Sequence, residues 1–499
     1  MQLSMLLEMA ADAFPDRVAV VVENRSLTYA QLLNAARAAA VSFRESTCHY
    51  VALLDTNSAA VPIALFGAAL AGKTYVPLNY RLTVAELDAL LARIEPAYLI
   101  GDPAYWQPLT RSESIRAVST ETFFAATTSA TGIDAIDEAD NDVAIQLFTS
   151  GTTGKPKAAI LRHQNLLSYI LGTVDFGAAD ASDAILVTVP PYHIAGISAV
   201  LSSTYACRRM VQLPNFEAGE WLRLCRTHQV SNAFLVPTML SRIVDYLDSD
   251  PSPESLPSLR AIAYGGGKMP LAVIENAMRW FPGANFTNAY GLTETSSTIA
   301  LLTPDDHRAA ASSDEPAIRK RLTSVGRPLD TIELQIRDDQ GRVLGAEAAG
   351  DIFVRGGQVA GEYRGLGSLL DADGWFATRD RGYIDAGGYL FLEGRADDVI
   401  VRGGENISPG EIEDVLLDHP SVADAAVVAM PSEQWGETVA AAVVLKPGAT
   451  ATEGQLQEMV KSRLRSSRVP ELILFKNSLP YNETGKLLRR IIREELQAH

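Results

Sequence analysis

The sequence has 499 residues and a formal net charge of -17, with 47% hydrophobic and 21% charged residues. At about 100–200 residues per domain, this length predicts two to four compact units. The acidic balance argues against nonspecific binding to nucleic acid or to an anionic membrane, and any anionic cosubstrate needs a local positive site.

The N-terminal segment favours a helix over a signal peptide. Glu8 and Asp12 interrupt its apolar residues, whereas a signal peptide needs a basic start and an unbroken apolar run. The most apolar internal stretch, Ala59–Gly72, is too short to span a bilayer. The three scattered cysteines show no metal-ligand spacing and fit a reducing compartment. We therefore expect a cytoplasmic protein without a transmembrane segment.

The first part of the chain alternates between apolar strands and helices. Strands are expected at Arg17–Val22, Tyr50–Leu54, Tyr75–Leu78, Tyr98–Gly101 and Val143–Phe148, and helices at Thr28–Glu45 and near Ala59–Ala71. This alternation is typical of a largely parallel sheet covered on both faces. A polar connection is expected over Val118–Asp142, and an exposed loop over Thr303–Arg321.

After Val325 the pattern changes to short strands separated by Gly and Asp turns. These strands are expected at Thr331–Arg337, Gly350–Val354 and Tyr389–Leu392, and they indicate a small antiparallel or barrel-like subdomain. A compact α+β region follows, with helices at Pro409–Leu417 and Glu453–Arg465 and strands at Ala423–Met430 and Thr438–Leu445. The predicted fold class is α/β, with a large N-terminal domain of parallel-sheet subdomains, a small barrel-like β subdomain and a small α+β C-terminal domain.

The strongest local signal is the segment Phe148–Lys157, with the sequence FTSGTTGKPK. Its glycines let the backbone approach a ligand and turn N–H groups toward an anion. Its hydroxyls and two lysines add donors and positive charge. The segment lacks the Walker A spacing. A phosphate cradle of this kind is on its own also compatible with a kinase or an ATPase, and a plain Ser/Gly/Thr surface turn is the alternative without function.

Further motifs follow this loop in order. They are Pro191–His193, Tyr264–Gly267, Asn288–Glu294, Ser324–Pro328, Trp375–Asp380, Gly394–Asp398 and Asn482–Lys486. Together with the loop they resemble the adenylate-forming superfamily, which includes acyl- and aryl-CoA synthetases, nonribosomal-peptide adenylation domains and firefly luciferase. The resemblance runs from Leu27 to the C-terminus and therefore covers nearly the whole chain.

The resemblance implies a site for ATP and its AMP product. The residues expected to bind the nucleotide are Thr149, Ser150, Gly151, Thr152, Thr153, Gly154, Lys157, Gly265, Gly266, Gly267, Asn288, Ala289, Tyr290, Gly291, Thr293, Asp380, Arg395 and Lys486. Tyr290 is expected to present its ring to adenine, with a core tyrosine as the alternative. The glycines at 265–267 leave room beside the adenylate for a large acyl group, or mark a strained turn that needs glycine.

Asp380 is expected in a turn after Trp375 and Phe376. Asp380 and Arg395 are the implied contacts to the ribose hydroxyls. The superfamily usually carries Gly just before this Asp, and Arg379 stands there instead. Because Arg cannot adopt a positive φ as cheaply as Gly, the local geometry is an open question.

The catalytic residues implied by the resemblance are Lys486, Glu294, His193 and Thr149. Glu294 and Thr149 are expected at a Mg²⁺ ion, since this hard cation takes carboxylates, substrate phosphates and water. His193 is expected beside the carboxylate being activated, although a lone His is usually structural. Lys486 is expected to bridge that carboxylate and the α-phosphate, where charge builds up in the transition state.

The superfamily rotates its C-terminal domain between two half-reactions, about the residue that matches Asp397. The implied domains are therefore 1–396, which binds ATP and the acid, and a mobile domain 397–499. Gly403 and Gly404 are expected to line the tunnel for the thiol. A solvated turn is the alternative for the hinge.

The predicted function is ATP-dependent activation of a small-molecule carboxylic acid to an acyl-AMP, followed by thioester formation with coenzyme A. The acid is expected to be a medium- or long-chain fatty, aryl or alicyclic acid. One alternative is a ligase that loads the phosphopantetheine of a carrier protein, expected in trans because no carrier domain follows His499. Another is a catalytically silent nucleotide-binding protein. A monomer and a homodimer are both compatible with the sequence.

Overall fold

The computed structural model describes residues 1–22, 25–131, 133, 141–149, 156–250, 254–481 and 487–497. The chain forms two compact units. The first contains residues 1–322, 328–333 and 355–376, and the second contains residues 323–327, 334–354 and 377–499. Within the described ranges, every helix is either too short or too polar to cross a membrane. The boundary expected between residues 396 and 397 separates two domains that are expected to rotate relative to one another, and it stays a prediction.

The α-helices vary from single turns to a helix of about five turns. In chain order they are α1 (Ser4–Ala13), α2 (Tyr29–Glu45), α3 (Ala60–Ala71), α4 (Val84–Leu91), α5 (Pro103–Trp106), α6 (Thr120–Ser129), α7 (His163–Thr173), α8 (Ile194–Tyr205), α9 (Ala218–Thr227), α10 (Pro237–Ser249), α11 (Leu271–Trp280), α12 (Pro304–Ser312), α13 (Pro316–Arg319), α14 (Pro409–Leu417), α15 (Glu453–Arg463) and α16 (Arg489–Gln497). Several begin at side-chain caps: Thr28 accepts a hydrogen bond from the backbone N–H of Gln31, which starts α2.

The strands are mostly short. They are β1 (Val18–Val22), β2 (Arg25–Thr28), β3 (Tyr50–Leu54), β4 (Thr74–Pro77), β5 (Ala97–Gly101), β6 (Ile115–Ser119), β7 (Val143–Thr149), β8 (Lys157–Arg162), β9 (Ala184–Val187), β10 (Arg209–Gln212), β11 (Asn232–Leu235), β12 (Ala261–Gly265), β13 (Asn285–Leu292), β14 (Ser297–Leu302), β15 (Arg327–Pro328), β16 (Glu333–Arg337), β17 (Gly350–Arg355), β18 (Glu362–Tyr363), β19 (Gly367–Ser368), β20 (Phe376–Ile384), β21 (Leu390–Arg395), β22 (Ile400–Arg402), β23 (Glu405–Ile407), β24 (Val422–Ser432), β25 (Gly436–Leu445) and β26 (Leu472–Lys476).

Two large sheets build the first unit. One has the order β19-β18-β8-β7-β4-β3-β5-β6, and the other contains β14-β13-β12-β11-β9-β10-β1-β2. The pairs among β3, β4, β5, β6 and β7 and those among β1 and β9–β13 are parallel, with antiparallel strands added at the edges. Helix α3 is buried on every side because it carries no polar face. The predicted parallel sheet covered on both faces is therefore confirmed.

The second unit contains two smaller sheets. Strands β16-β17-β20-β21 form one, and β22–β26 form the other, in which β26 pairs with β25 in parallel. Helices α14 and α15 cover one apolar face of the latter, where Ile412, Val427 and Leu456 lie buried, and α16 packs against the other face at Val428. The expected small β subdomain and α+β region are both present.

Two expectations about connecting segments were wrong. The exposed loop expected over Thr303–Arg321 contains α12 and α13, because Thr303 forms a capping box with Asp306 and Pro304 takes the first helical position. The polar connection expected over Val118–Asp142 contains α6, whose Phe123 is buried.

Candidate active site

The predicted phosphate loop connects two antiparallel strands, β7 and β8. Thr149 at the end of β7 faces Lys157 at the start of β8, and its Oγ1 lies 3.4 Å from the carbonyl oxygen of Lys157. The predicted residues Ser150, Gly151, Thr152, Thr153 and Gly154 lie outside the described residues. The structure therefore places the two ends of the loop side by side.

Two of the three glycines at the end of β12, Gly265 and Gly266, are required by the backbone. Gly265 pairs with Ala289 of β13, and a Cβ at position 265 would lie 2.1 Å from the carbonyl oxygen of Ala289. Gly266 has a φ of +84°, in the left-handed region that favours glycine. Gly266 and Gly267 are exposed. Glycine is therefore needed at positions 265 and 266, and the room for an acyl group stays a prediction.

Strand β13 carries the next four predicted residues. Asn288 and Tyr290 are 6% and 8% exposed and alternate with Ala289 and Gly291 along the strand. A Cβ on Gly291 would lie 1.9 Å from the carbonyl oxygen of Ser297, so only glycine fits. Tyr290 is largely covered, and its contact with adenine stays a prediction.

Glu294 lies in a single 3-10 turn, Thr293–Thr295, directly after β13. The turn is fixed by Thr295, whose Oγ1 accepts a hydrogen bond from the backbone N–H of Leu292 at 2.9 Å. Ser296 and Ser297 then have φ values of +56° and +122°. Non-glycine residues adopt such conformations at a cost of order 1–3 kcal/mol, and they cluster at functional sites.

Tyr363 is a site residue that sequence reasoning missed. Its hydroxyl donates a hydrogen bond to Oε1 of Glu294. Tyr363 also pairs with Ala159 of β8, and the Nζ of Lys157 lies 5.7 Å from the centroid of its ring. No short-range spacing signals this contact, because the two residues are 69 positions apart. Tyr363 thus joins the predicted metal carboxylate to a predicted phosphate-binding lysine.

The Glu294 carboxylate suits a Mg²⁺ ion that also binds substrate phosphates. The carboxylate oxygen Oε2 has no hydrogen-bond donor among the described residues. Across those residues, no group of three or more His, Cys, Asp and Glu side chains could form a complete cage for a metal. Mg²⁺ is commonly held by one or two carboxylates with phosphates and water, so a lone Glu fits it.

His193 directly precedes α8, and the centroid of its ring lies 4.5 Å from the centroid of the Tyr192 ring. Burial, and secondarily the positive charge of Arg81, lowers the pKa of His193 to about 4. Its Nε2 is buried without a hydrogen-bond partner among the described residues. A neutral imidazole with a free polar atom suits the predicted position beside a substrate carboxylate.

Asp380 and Arg395, the predicted ribose contacts, are paired across β20 and β21. The Nη1 of Arg395 donates to Oδ1 of Asp380 at 2.8 Å, and the Asp380 backbone N–H donates to Thr378 Oγ1 at 3.1 Å. Asp380 lies within a strand and not in the turn expected for it. Arg379 takes a φ of +63°, the backbone conformation that the usual glycine would supply.

The predicted thiol-tunnel residues, Gly403 and Gly404, form the turn between β22 and β23. Their φ values are +58° and +86°, and a Cβ on Gly403 would lie 2.9 Å from the ring of Trp435. The predicted hinge residue Asp397 lies in a 3-10 turn after β21, and its side chain is outside the described residues.

Lys486 also lies outside the described residues. The residues on either side of segment 482–486 make contacts that fix their positions. Tyr481 and Leu487 form an antiparallel bridge, and the Tyr481 hydroxyl lies 3.0 and 2.9 Å from the two carboxylate oxygens of Asp424. Arg489 follows and pairs with the buried carboxylate of Glu413.

Known proteins resemble this chain along nearly its whole length. The family model for AMP-binding enzymes matches residues 7–364, and the family model for the AMP-binding enzyme C-terminal domain matches residues 411–486. A 2-succinylbenzoate–CoA ligase from Bacillus licheniformis is 34% identical over 97% of this chain and 98% of its own length. A fatty acid–[acyl-carrier-protein] ligase from Streptomyces coeruleorubidus is 32% identical over 96% of this chain and 93% of its own length. The solved structure of the O-succinylbenzoate coenzyme A synthetase from Bacillus subtilis, in complex with ATP and magnesium ion, has a TM-score of 0.80 and 28% identity over 99% of both chains.

Proposed function

The chain belongs to the AMP-binding enzymes, the adenylate-forming family of AMP-forming acid–thiol ligases, and from this premise we propose the reaction that it catalyses. It activates a carboxylic acid with ATP, releasing pyrophosphate and forming an acyl-AMP. It then transfers the acyl group to the thiol of coenzyme A, releasing AMP. The observation that carries the proposal is the chain of contacts from Thr149 and Lys157 through Tyr363 to Glu294, which links two separate motifs.

The first half-reaction brings a carboxylate to a triphosphate, so the main obstacle is repulsion between anions. Glu294 would hold a Mg²⁺ ion, whose positive charge would offset the negative charge of the phosphate oxygens. Lys157 and the backbone of residues 150–154 bind the released pyrophosphate, while Lys486 neutralises the charge that develops between carboxylate and α-phosphate. Positioning then accounts for in-line attack on the α-phosphorus.

The neutral state of His193 matters for the acid substrate. With a pKa near 4, the imidazole carries no charge at neutral pH. It can therefore line an apolar acyl site and hydrogen-bond a carboxylate oxygen without introducing a second buried charge. Asp380 accepts hydrogen bonds from the ribose hydroxyls, and Arg395 holds that carboxylate in place.

For the acid, we propose an aryl carboxylate as the first class to test, ahead of fatty and alicyclic acids. The proposal is supported by the relative named as a 2-succinylbenzoate–CoA ligase, whose substrate carries an aromatic ring. A screen of aryl, fatty and alicyclic acids for stimulation of ATP–pyrophosphate exchange tests whether aryl acids are the preferred substrates. The same assay excludes a catalytically silent nucleotide-binding protein if any acid stimulates exchange.

Coenzyme A and a carrier-protein phosphopantetheine are the two candidate thiols. The alternative acceptor is favoured by the relative named as a fatty acid–[acyl-carrier-protein] ligase. We propose coenzyme A because the relative with the higher identity is named as a CoA ligase. Supplying free coenzyme A and purified carrier proteins in parallel, with acyl-AMP already formed, discriminates the two thiols.

The assignment of Lys486 is tested by separating the half-reactions. The Lys486→Ala substitution is expected to slow acyl-AMP formation by at least about 100-fold, while thioester formation from supplied acyl-AMP is retained. The Asp397→Pro substitution is expected to show the opposite bias, because proline restricts the backbone at the proposed hinge. Equal losses in both half-reactions for Lys486→Ala would refute the two-conformation mechanism, as would full thioester turnover by Asp397→Pro.

A further inference from the structure

Segment 358–363 approaches the predicted metal carboxylate from outside the motif that contains it. The backbone N–H groups of Ala360 and Gly361 donate to the carbonyl oxygen of Glu294 at 2.8 and 3.0 Å. The buried Gln358 donates from Nε2 to the carbonyl oxygens of Thr295 and Thr298, at 3.1 and 2.7 Å. These bonds fix the backbone of the turn that carries Glu294, and they do so without the phenol of Tyr363.

The other end of the same segment is anchored to strand β8. Glu362 and Tyr363 pair with Ile160 and Ala159. The Arg162 guanidinium holds the Glu362 carboxylate through Nε at 3.0 Å and Nη2 at 3.1 Å. A bidentate bond of this kind restricts orientation as well as distance. Tyr363 is therefore attached to β8 at its backbone and to Glu294 at its hydroxyl, and it is only 8% exposed.

A free glutamate on a turn samples many rotamers and must be ordered before it can coordinate a cation. A hydrogen bond from a fixed phenol to one carboxylate oxygen removes most of that freedom in advance. The Tyr363 hydroxyl does this at Oε1, while Oε2 remains without a donor among the described residues. A neutral donor also leaves the carboxylate its negative charge, which a cation needs and which a lysine or arginine would offset.

We propose that Tyr363 is a positioning residue for the metal-binding step: its phenol holds the Glu294 carboxylate ready for Mg²⁺ and so couples cation binding to nucleotide binding. The proposal rests on the assignment of Glu294 as the metal carboxylate. It adds to that assignment a residue that lies in a different segment of the chain, on the strand pair that also carries Lys157.

The test is the Tyr363→Phe substitution, which removes the hydroxyl and keeps the ring. Isothermal titration calorimetry measures ATP affinity without the acid substrate, once with Mg²⁺ and once with EDTA. We expect affinity for ATP with Mg²⁺ to fall about tenfold, equivalent to 1.4 kcal/mol, and affinity in EDTA to change less than twofold. A matching rise in the Mg²⁺ concentration needed for half-maximal pyrophosphate exchange is expected.

Tyr50→Phe is the matched control. The Tyr50 hydroxyl accepts a hydrogen bond from Arg364 Nη2 at 2.6 Å, so it touches the residue next to Tyr363 without reaching Glu294. Its loss is expected to leave ATP affinity unchanged in both media. A thermal unfolding curve for each variant shows that the fold is retained.

A double-mutant cycle with Glu294→Gln separates the two assignments. If Glu294 holds the metal, Glu294→Gln alone abolishes most of the gain in ATP affinity from Mg²⁺, and Tyr363→Phe adds no further loss in that background. Retention of the full Mg²⁺ effect in Glu294→Gln refutes the metal assignment itself. The role of Tyr363 alone is overturned if Glu294→Gln loses the Mg²⁺ effect as expected, while Tyr363→Phe leaves ATP affinity unchanged. The same conclusion follows if Tyr363→Phe lowers ATP affinity equally in Mg²⁺ and in EDTA.

Discussion

Arg379 combines a long side chain with a left-handed backbone, at φ +63°, inside strand β20. An L-residue in that region costs roughly 1–2 kcal/mol because its Cβ crowds the following carbonyl oxygen. Asp380 follows directly and pairs with Arg395. The strained residue thus directly precedes the predicted ribose carboxylate, and Arg379 adopts a positive φ, the conformation that glycine adopts at the least cost.

Two substitutions at Arg379 measure this strain. Arg379→Ala removes the side chain beyond Cβ but keeps the strained backbone, whereas Arg379→Gly relieves the strain as well. We expect the Gly variant to be more stable than the Ala variant by about 1 kcal/mol. Urea unfolding of both variants provides the comparison. A Gly variant that is less stable than the Ala variant would show that Arg379 stores no strain.

Single residues also mark the limit of prediction from the sequence. The motif carrying Glu294 was recognisable, yet its hydrogen-bond donor Tyr363 was not, because a contact across 69 positions depends on how β18 pairs with β8. The low pKa of His193 was equally hidden, since burial is its first cause. The sequence therefore predicts which groups take part in the reaction, whereas the fold determines how each group is held and charged.

At the scale of elements, the contact between α2 and α3 depends on one glycine. A Cβ on Gly67 would lie 2.8 Å from the Cβ of Ala39 and 3.1 Å from the carbonyl oxygen of Ala36. Both helices are lined with small residues at this contact, and α3 is buried on all sides. The helices approach so closely that an added methyl group must push one of them away.

Gly67→Ala is therefore expected to destabilise the protein by about 1–3 kcal/mol through overpacking. The matched control is Gly454→Ala in α15, where a Cβ would meet no atom within 4 Å. That change is expected to be neutral or to stabilise by about 0.5–1 kcal/mol, because alanine loses less backbone entropy in a helix. The free energies of unfolding from chemical denaturation check both, and a neutral Gly67→Ala would contradict the packing argument.

Two elements show why one prediction of an element succeeded and another failed. Strand Tyr50–Leu54 was located to the residue because it is apolar throughout and buried on both faces. Helix α12 was missed, since only His307 and Ala310 of its residues are buried and the rest is polar. The capping box at Thr303 and the proline at Pro304 were nevertheless present in the sequence, so this error could have been avoided.

At the scale of the whole molecule, each of the two units has hydrophobic clusters of its own. One cluster contains Ile63 of α3, and another contains Ile412 of α14. Both isoleucines are fully buried, but they belong to different units. Chains with several domains commonly depart from two-state unfolding, so the cores are expected to unfold as separate transitions.

Two identical substitutions test this separation. Ile63→Val and Ile412→Val each remove one buried methyl group, which typically costs about 0.5–1.5 kcal/mol. In differential scanning calorimetry we expect two transitions, with Ile63→Val lowering the midpoint of one and Ile412→Val lowering only the other. The two changes match in chemistry and burial, so each variant serves as the control for its partner. A single transition whose midpoint is lowered by both variants would mean that the units unfold as one cooperative body. The proposed rotation of residues 397–499 would then have to occur in a region that is not stable on its own.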